Sequence, residues 1–262
     1  MKPDPFISAA LDGRRLDGEY IVDAHAHMGP WPNFPVLHND AQSMIQAMDR
    51  IGISIVCPAA HASVGPDFSL GNDLVAAAQQ RFPGRIVGYI GVNPCYGQRM
   101  CLAELRRCER KGMRNVKVHS IHGRPYDDPA YRSVYSYAAD RGWSILAHAW
   151  GDPASCGTIA RMAREHPSAN FLLAHTGASS YDEYLKAADA APNLYLELAL
   201  SNTPCTLVAE FVRRIGAERI IFGSDIPFIS LAHQIGKVLC AEITPDDKRK
   251  ILGLNARRAL RL

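Results

Sequence analysis

The sequence predicts an α/β fold, a (β/α)8 TIM barrel in a single domain with an extra helix at its C-terminal end. Eight short runs rich in Val, Ile and Leu alternate with longer amphipathic stretches, the pattern of parallel strands covered by crossover helices. A length of 262 residues suits one large barrel. The turn after the first strand reads DAHAHMGPW, where an open nucleotide-binding sheet would show a glycine-rich loop.

The elements follow in order. The first strand falls near 20–27 and its helix near 40–50. Strand and helix then pair near 53–59 and 70–82, 86–92 and 97–111, 115–119 and 129–141, and 144–148 and 154–165. Three further pairs lie near 170–175 and 180–190, 194–200 and 204–214, and 219–224 and 229–240. Gly52, Gly112, Gly142 and Gly216 each stand just past a helical stretch, where a C-terminal cap favours glycine. TPDDKRKILGLNARRAL reads as a ninth helix, with Thr244 as N-cap and Pro245 in its first position. Residues 1–18 read as an N-terminal extension and 19–262 as the barrel.

Composition narrows the function classes. Hydrophobic residues at 47% and charged residues at 21% are ordinary for a soluble globular chain, so a sizeable core is expected. A net charge of +3, with bases and acids intermixed, gives no footprint for nucleic acid. The opening MKPDPFISAALDGRRLDGEY lacks the apolar run of a signal peptide and no later run reaches membrane-spanning length, so no membrane association and a cytoplasmic location are expected. Seven cysteines without a C-x-x-C pair fit neither a disulfide framework nor a cysteine zinc knuckle, and Cys101 and Cys108 share one helix face. The expected partner is a small-molecule substrate, with homo-oligomerisation left open.

Chemistry starts in IVDAHAHMGPW, where Asp23, His25 and His27 recur at every second residue and so share one face of the strand. In a barrel of this kind the active site forms at the C-terminal strand ends. The first strand delivers His25 and His27, the fifth (SILAHA) His148, the sixth (NFLLAHT) His175 and the eighth (IIFGSD) Asp225. A single strand-end histidine is more often a hydrogen-bonded core residue, as His38, His166 and His233 illustrate by scattering elsewhere. Imidazoles and a carboxylate arriving from four strands at one rim point instead to a divalent metal ion, because desolvating such a set without a cation is costly. Asp23 is expected to orient neighbours rather than do chemistry.

VDAHAH, ILAHAWG, LLAHTG, IIFGSDIPF and the closing ILGLNARRAL resemble the amidohydrolase superfamily, and most closely its amidohydrolase-2 branch of metal-dependent hydrolases and related decarboxylases. The resemblance runs from the first strand to the C-terminus. It implies one divalent ion held by His25, His27, His148 and Asp225, usually zinc, although the donor set also suits manganese, iron or cobalt. It further implies that Asp225 takes a proton from a metal-activated water and that His175 polarises or protonates the substrate. Nucleoside deaminases of the superfamily are expected to carry Glu three residues after the fifth-strand histidine, and here that residue is Gly151. Binuclear members use a carbamylated lysine from the fourth strand, which Lys117 could supply; the alternative is a barrel-interior lysine paired with an acid such as Glu197.

Loops after the strands shape the pocket. They offer His119, Arg124, Trp31, Trp150 and His61 as substrate contacts, with Asn33, Asn93, His122, Tyr126 and Phe228 nearby. Three functions fit this reading. The first is hydrolysis of an amide, ester or lactone, the second nonoxidative decarboxylation of a small carboxylated substrate, aromatic acids included, and the third a barrel that binds metal or ligand without turnover.

Overall fold

The computed structural model describes residues 4–262. Its strands are β1 (Val22–Met28), β2 (Ile55–Ala60), β3 (Ile90–Gly91), β4 (Val116–Val118), β5 (Ser144–Ala147), β6 (Asn170–Leu173), β7 (Leu194–Glu197) and β8 (Ile220–Ile221). All ladders are parallel, β1 with β2 and β3 through β8 in chain order. Backbone hydrogen bonds cross the two remaining seams. Val87 N donates to Val56 O at 3.0 Å and Tyr89 N to Pro58 O at 2.9 Å, while Ala24 N donates to Phe222 O at 3.0 Å and Asp225 N to His25 O at 2.8 Å. The strands therefore form a ring of bonded neighbours, and the residues that follow them meet at one rim.

The helices are α1 (Pro5–Leu11), α2 (Ala41–Ile51), α3 (His61–Val64), α4 (Phe68–Arg81), α5 (Gly97–Glu109) and α6 (Pro129–Arg141). They continue as α7 (Pro153–Glu165), α8 (Tyr181–Ala190), α9 (Cys205–Ile215), α10 (Leu231–Leu239), α11 (Pro245–Arg249) and α12 (Asn255–Leu260). Aspartates set several starts: Asp40, Asp67, Asp128 and Asp152 accept from Ser43 N, Leu70 N, Ala130 N and Ser155 N, which satisfies orphan donors of the first turn. Gly52 and Gly142 end α2 and α6 at φ of 100° and 59°, where a Cβ would be strained. Among the described residues no helix is long and apolar enough to cross a membrane.

The described part of the extension before residue 19 packs on the barrel: Asp4 caps α1, which buries Phe6 and Ala9, and Lys248 Nζ donates to Asp4 Oδ2 at 2.6 Å. Two expectations need correction. The predicted ninth helix is broken by a π-helical turn over Lys250–Leu254. There Phe222 N takes the Ile251 carbonyl at 3.0 Å, drawing it from the helix ladder, and Gly253 lies so close to Tyr20 that a Cβ would stand 1.9 Å from its carbonyl oxygen. The third strand shrinks to two residues plus a bridge at Ile86, because Gly88 lets α4 press in where a Cβ would meet Val75 Cγ1 at 1.8 Å.

Candidate active site

β1 sends Asp23, His25 and His27 into the barrel interior, and all three are buried. Asp23, deepest in the chain order of the strand, accepts from His25 N at 3.2 Å, from Ser224 N at 2.9 Å and from Ser224 Oγ at 2.5 Å. Burial raises its carboxyl to about 7, against the lowering effect of Ser224. It thus ties β1 to the segment after β8, and fixes where Asp225 begins.

His25 is held at both nitrogens. Its Nδ1 lies 2.8 Å from Glu197 Oε2 on β7, and its Nε2 lies 2.8 Å from Lys117 Nζ on β4. Glu197 also accepts from Ala199 N at 2.7 Å, so the carboxylate is locked and His25 donates through Nδ1. Lys117 therefore does not sit on Glu197, as one sequence expectation had it, but on the imidazole lone pair. Burial lowers the lysine, opposed by the charges of Asp225 and Glu197. His27 donates through Nδ1 to Ala59 O at 3.2 Å, which turns Nε2 toward Asp225 Oδ1 at 3.4 Å.

Asp225 follows β8 at φ 60° and His175 follows β6 at φ 61°, left-handed conformations uncommon for residues with a Cβ. Asp225 Oδ1 is buried without a hydrogen-bond partner. Burial raises this carboxyl above its usual range and the Lys117 charge opposes the rise. His175 Nδ1 donates to Ala199 O, and its Nε2 lies 3.1 Å from His148 Nδ1. Burial pushes His175 down to about 4 and holds His25, His27, His119 and His148 well below the ordinary imidazole value. These are neutral imidazoles, the form that ligates metals and relays protons.

The ligand atoms of His25, His27 and Asp225 lie within 4.8 Å of one another. With Asp225 Oδ1 orphaned and His27 Nε2 facing it, this donor set fits a divalent cation. In a second cluster the ligand atoms of His25, His175 and Glu197 also lie within 4.8 Å of one another. Its atoms already serve each other and the backbone as hydrogen-bond partners, so it reads as the network that orients His25. His148, expected as a metal ligand, stands outside both clusters and pairs with His175.

Two cavities open at this rim. The larger, of about 590 Å³, is walled by aromatic rings including Trp31, Phe34, Phe228 and Trp150, with His61 and His119 among its lining. The smaller, of about 390 Å³, is lined in part by Ser179, Ser201 and Asn202. Trp150, His175, Asp225 and Ile229 border both. Trp150 stacks on His175 with centroids 4.8 Å apart and planes at 13°, and His119 stacks on His148 at 3.8 Å. Among the described residues no lysine or arginine lines either cavity.

Most expected contact residues come together here, but Arg124 does not: it is exposed and outside the lining. A loop arginine six residues past its strand is solvated unless a partner holds it, and among the described residues it has none of the side-chain bonds that anchor others. His122 is tied to Tyr131, Asn93 caps a turn through Cys95 N, and Tyr126 donates beneath the site to His148 O. Sequence reasoning missed Phe34 and the anchoring of His25 by Glu197. An acid inside the apolar run LYLELAL was the available signal for the second.

Residues 22–262 match the family model described as Amidohydrolase. No curated protein sequence matches the chain. Solved structures similar to it include 2,6-dihydroxybenzoate decarboxylase from Rhizobium, at 19% identity and TM-score 0.71, covering 93% of this chain and 99% of that one. A probable 2-pyrone-4,6-dicarboxylic acid hydrolase from Acinetobacter baumannii, with citric acid bound, is 17% identical with TM-score 0.72, covering 92% and 99%. The 5-carboxyvanillate decarboxylase from Novosphingobium aromaticivorans, complexed with manganese and a nitrobenzoic acid, is 14% identical with TM-score 0.70, covering 94% and 97%. At these identities the likeness shows the fold.

Proposed function

Because the chain belongs to the amidohydrolase family, whose members are metal-dependent hydrolases and decarboxylases, we propose that it hydrolyses an amide, ester or lactone of a small planar molecule. The observation that carries this reading is the junction at Asp225 and His175 of two cavities, a larger one walled by aromatic rings and a smaller one that offers Ser179, Ser201 and Asn202. Hydrolysis needs space on both sides of the scissile bond. The aromatic chamber suits a flat acyl part, and Ser179, Ser201 and Asn202 suit a departing alcohol or amine.

His25, His27 and Asp225 would hold the divalent ion, with zinc, manganese, iron or cobalt all compatible with the donors. When bound, the ion supplies a Lewis acid that polarises a substrate oxygen and makes water more acidic. Lys117 must release the His25 lone pair for His25 to ligate. Asp225, at the junction, accepts the proton of the attacking water. The neutral His148–His175 pair, 3.1 Å apart, would relay the proton taken up by Asp225 to the leaving group, which leaves Asp225 ionised again. Trp150 stacks on His175 and so covers one face of that ring.

A second reading is nonoxidative decarboxylation of an aromatic monocarboxylate, supported by the ring-lined chamber and by the substrates named for the decarboxylases of similar fold. The absence of lysine and arginine from the lining argues against a polyanionic substrate in either case. The test is a panel of aryl esters, lactones, anilides and hydroxybenzoates assayed in ¹⁸O-water, with metal content measured on the same preparation. Isotope in a new carboxylate, lost on chelation and restored by metal, supports hydrolysis. Carbon dioxide without isotope in the product supports decarboxylation and overturns the first reading.

A further inference from the structure

We propose that His61 is a specificity residue whose Nε2 accepts a hydrogen bond from a hydroxyl or N–H carried on the substrate's planar ring. Among the described residues four buried side-chain atoms lack a partner, and two of them, Asp225 Oδ1 and His61 Nε2, belong to the lining of the aromatic chamber. A buried acceptor left unmade is costly, so each such atom in a folded protein calls for a ligand, ion or water. The metal set accounts for Asp225, and His61 belongs to neither cluster of possible metal ligands.

The tautomer is set by geometry. His61 opens α3 at the end of β2, is fully buried, and points Nδ1 at Gly29 O over 2.6 Å. A carbonyl oxygen only accepts, so Nδ1 carries the hydrogen and the neutral ring presents Nε2 as an acceptor. The ring cannot turn to find another partner. It lies parallel to His27 at 5.2 Å and 15°, with Phe228 at 4.6 Å and the edge of Trp31 at 5.3 Å. Trp31 and Phe228 stand edge to face at 5.7 Å and form the roof of this corner. A flat group that parts those two rings reaches Nε2, which is why the complementary ligand is both planar and a donor.

This inference rests on the aromatic chamber being the substrate site, and it holds for either reaction. The experiment is calorimetric titration of the full chain with the three monohydroxybenzoate isomers and their methoxy ethers, which keep shape and charge but lose the donor. At least one hydroxyl compound is expected to bind tenfold or more tightly than its ether. In His61→Phe that ratio falls to about one while the ether binds within about threefold of wild type, and His61→Gln, which keeps an acceptor, recovers part of the preference. Circular dichroism and metal content verify that each variant is intact. Equal binding of every hydroxyl and ether pair by wild type overturns the role of His61, as does an unchanged ratio in His61→Phe. Binding of no aromatic acid at all instead overturns the reading of the chamber, and this inference with it.

Discussion

The two ends of the barrel treat polar side chains in opposite ways. At the closed end, where strands begin, Asn115 Oδ1 accepts from Ser144 N at 2.8 Å and Ser144 Oγ donates to Ala259 O at 2.6 Å. Asn170 Nδ2 donates to the same Ala259 carbonyl at 3.0 Å, and Asn255 Nδ2 donates to Ala217 O and Ile220 O at 2.7 and 2.8 Å. These groups satisfy the strand starts and the last turn of α12. At the open end Asp225 Oδ1 and His61 Nε2 have no partner, and His175 and Asp225 hold left-handed backbone. Asn115 is left-handed as well, at φ 65°, but its side chain is fully engaged. Polar residues at the closed end are spent on the fold, whereas at the rim Asp225 Oδ1 and His61 Nε2 are left without a protein partner among the described residues.

The sharpest way to break this contrast is Asp225→Asn. If the rim carboxylate takes the proton of the attacking water, turnover falls by about 10³-fold or more on whichever substrate the panel yields. Thermal stability should hold or rise, because a buried carboxyl whose pKa is raised by desolvation is replaced by a neutral amide. Elemental analysis of the same variant separates loss of the base from loss of the ion. Retained activity removes Asp225 from proton transfer, and a large fall in melting temperature makes the residue structural, like those at the other end.

How much of this was legible in the sequence follows from the range of each interaction. Strand alternation exposed Asp23, His25 and His27 on one face, and strand-end position placed His175 and Asp225 at the rim, because both rules are local. Helix starts were readable wherever Asp preceded the first turn. Hidden were pairings between distant strands: Lys117 with His25 across 92 residues and His25 with Glu197 across 172. Periodicity says that such side chains point inward, and says nothing of which neighbour they meet. His148 was expected beside the metal from its strand-end position and the family resemblance, and its contact with His175 depends on ring orientations that no spacing encodes. The π-helical turn was equally invisible, since it arises where Phe222 N takes a helix carbonyl.

The closed end gives the converse test. Asn115→Ala removes the acceptor for Ser144 N and the donor to Leu260 O, and leaves a Cβ residue in a left-handed conformation without the side chain that justified it. Destabilisation of about 3 kcal/mol is expected in urea unfolding, with kcat per folded molecule unchanged. Loss of rate without loss of stability would mean that the two ends are not divided as described.

Lys237 on α10 refines the contrast, because it is a buried cation near the rim whose bonds are complete. Its Nζ donates to Leu198 O at 2.6 Å and Leu200 O at 2.7 Å, just past β7. Burial pushes the amine down to about 8 from the ordinary 10.5, opposed by the charge of Glu197. Between those values the folded chain binds fewer protons than the unfolded chain, so this group's contribution to stability grows as pH rises. The contribution is complete above 10.5 and is lost as pH falls through 8. Replacing Lys237 with Met removes that dependence, so the stability of wild type relative to the variant should increase by on the order of 2 kcal/mol from pH 8 to pH 10.5. Urea unfolding at the two pH values reads the difference directly. Parallel stability curves for the two proteins would show that the lysine keeps its charge through the range, and that its two carbonyl partners stabilise the ammonium enough to offset its burial.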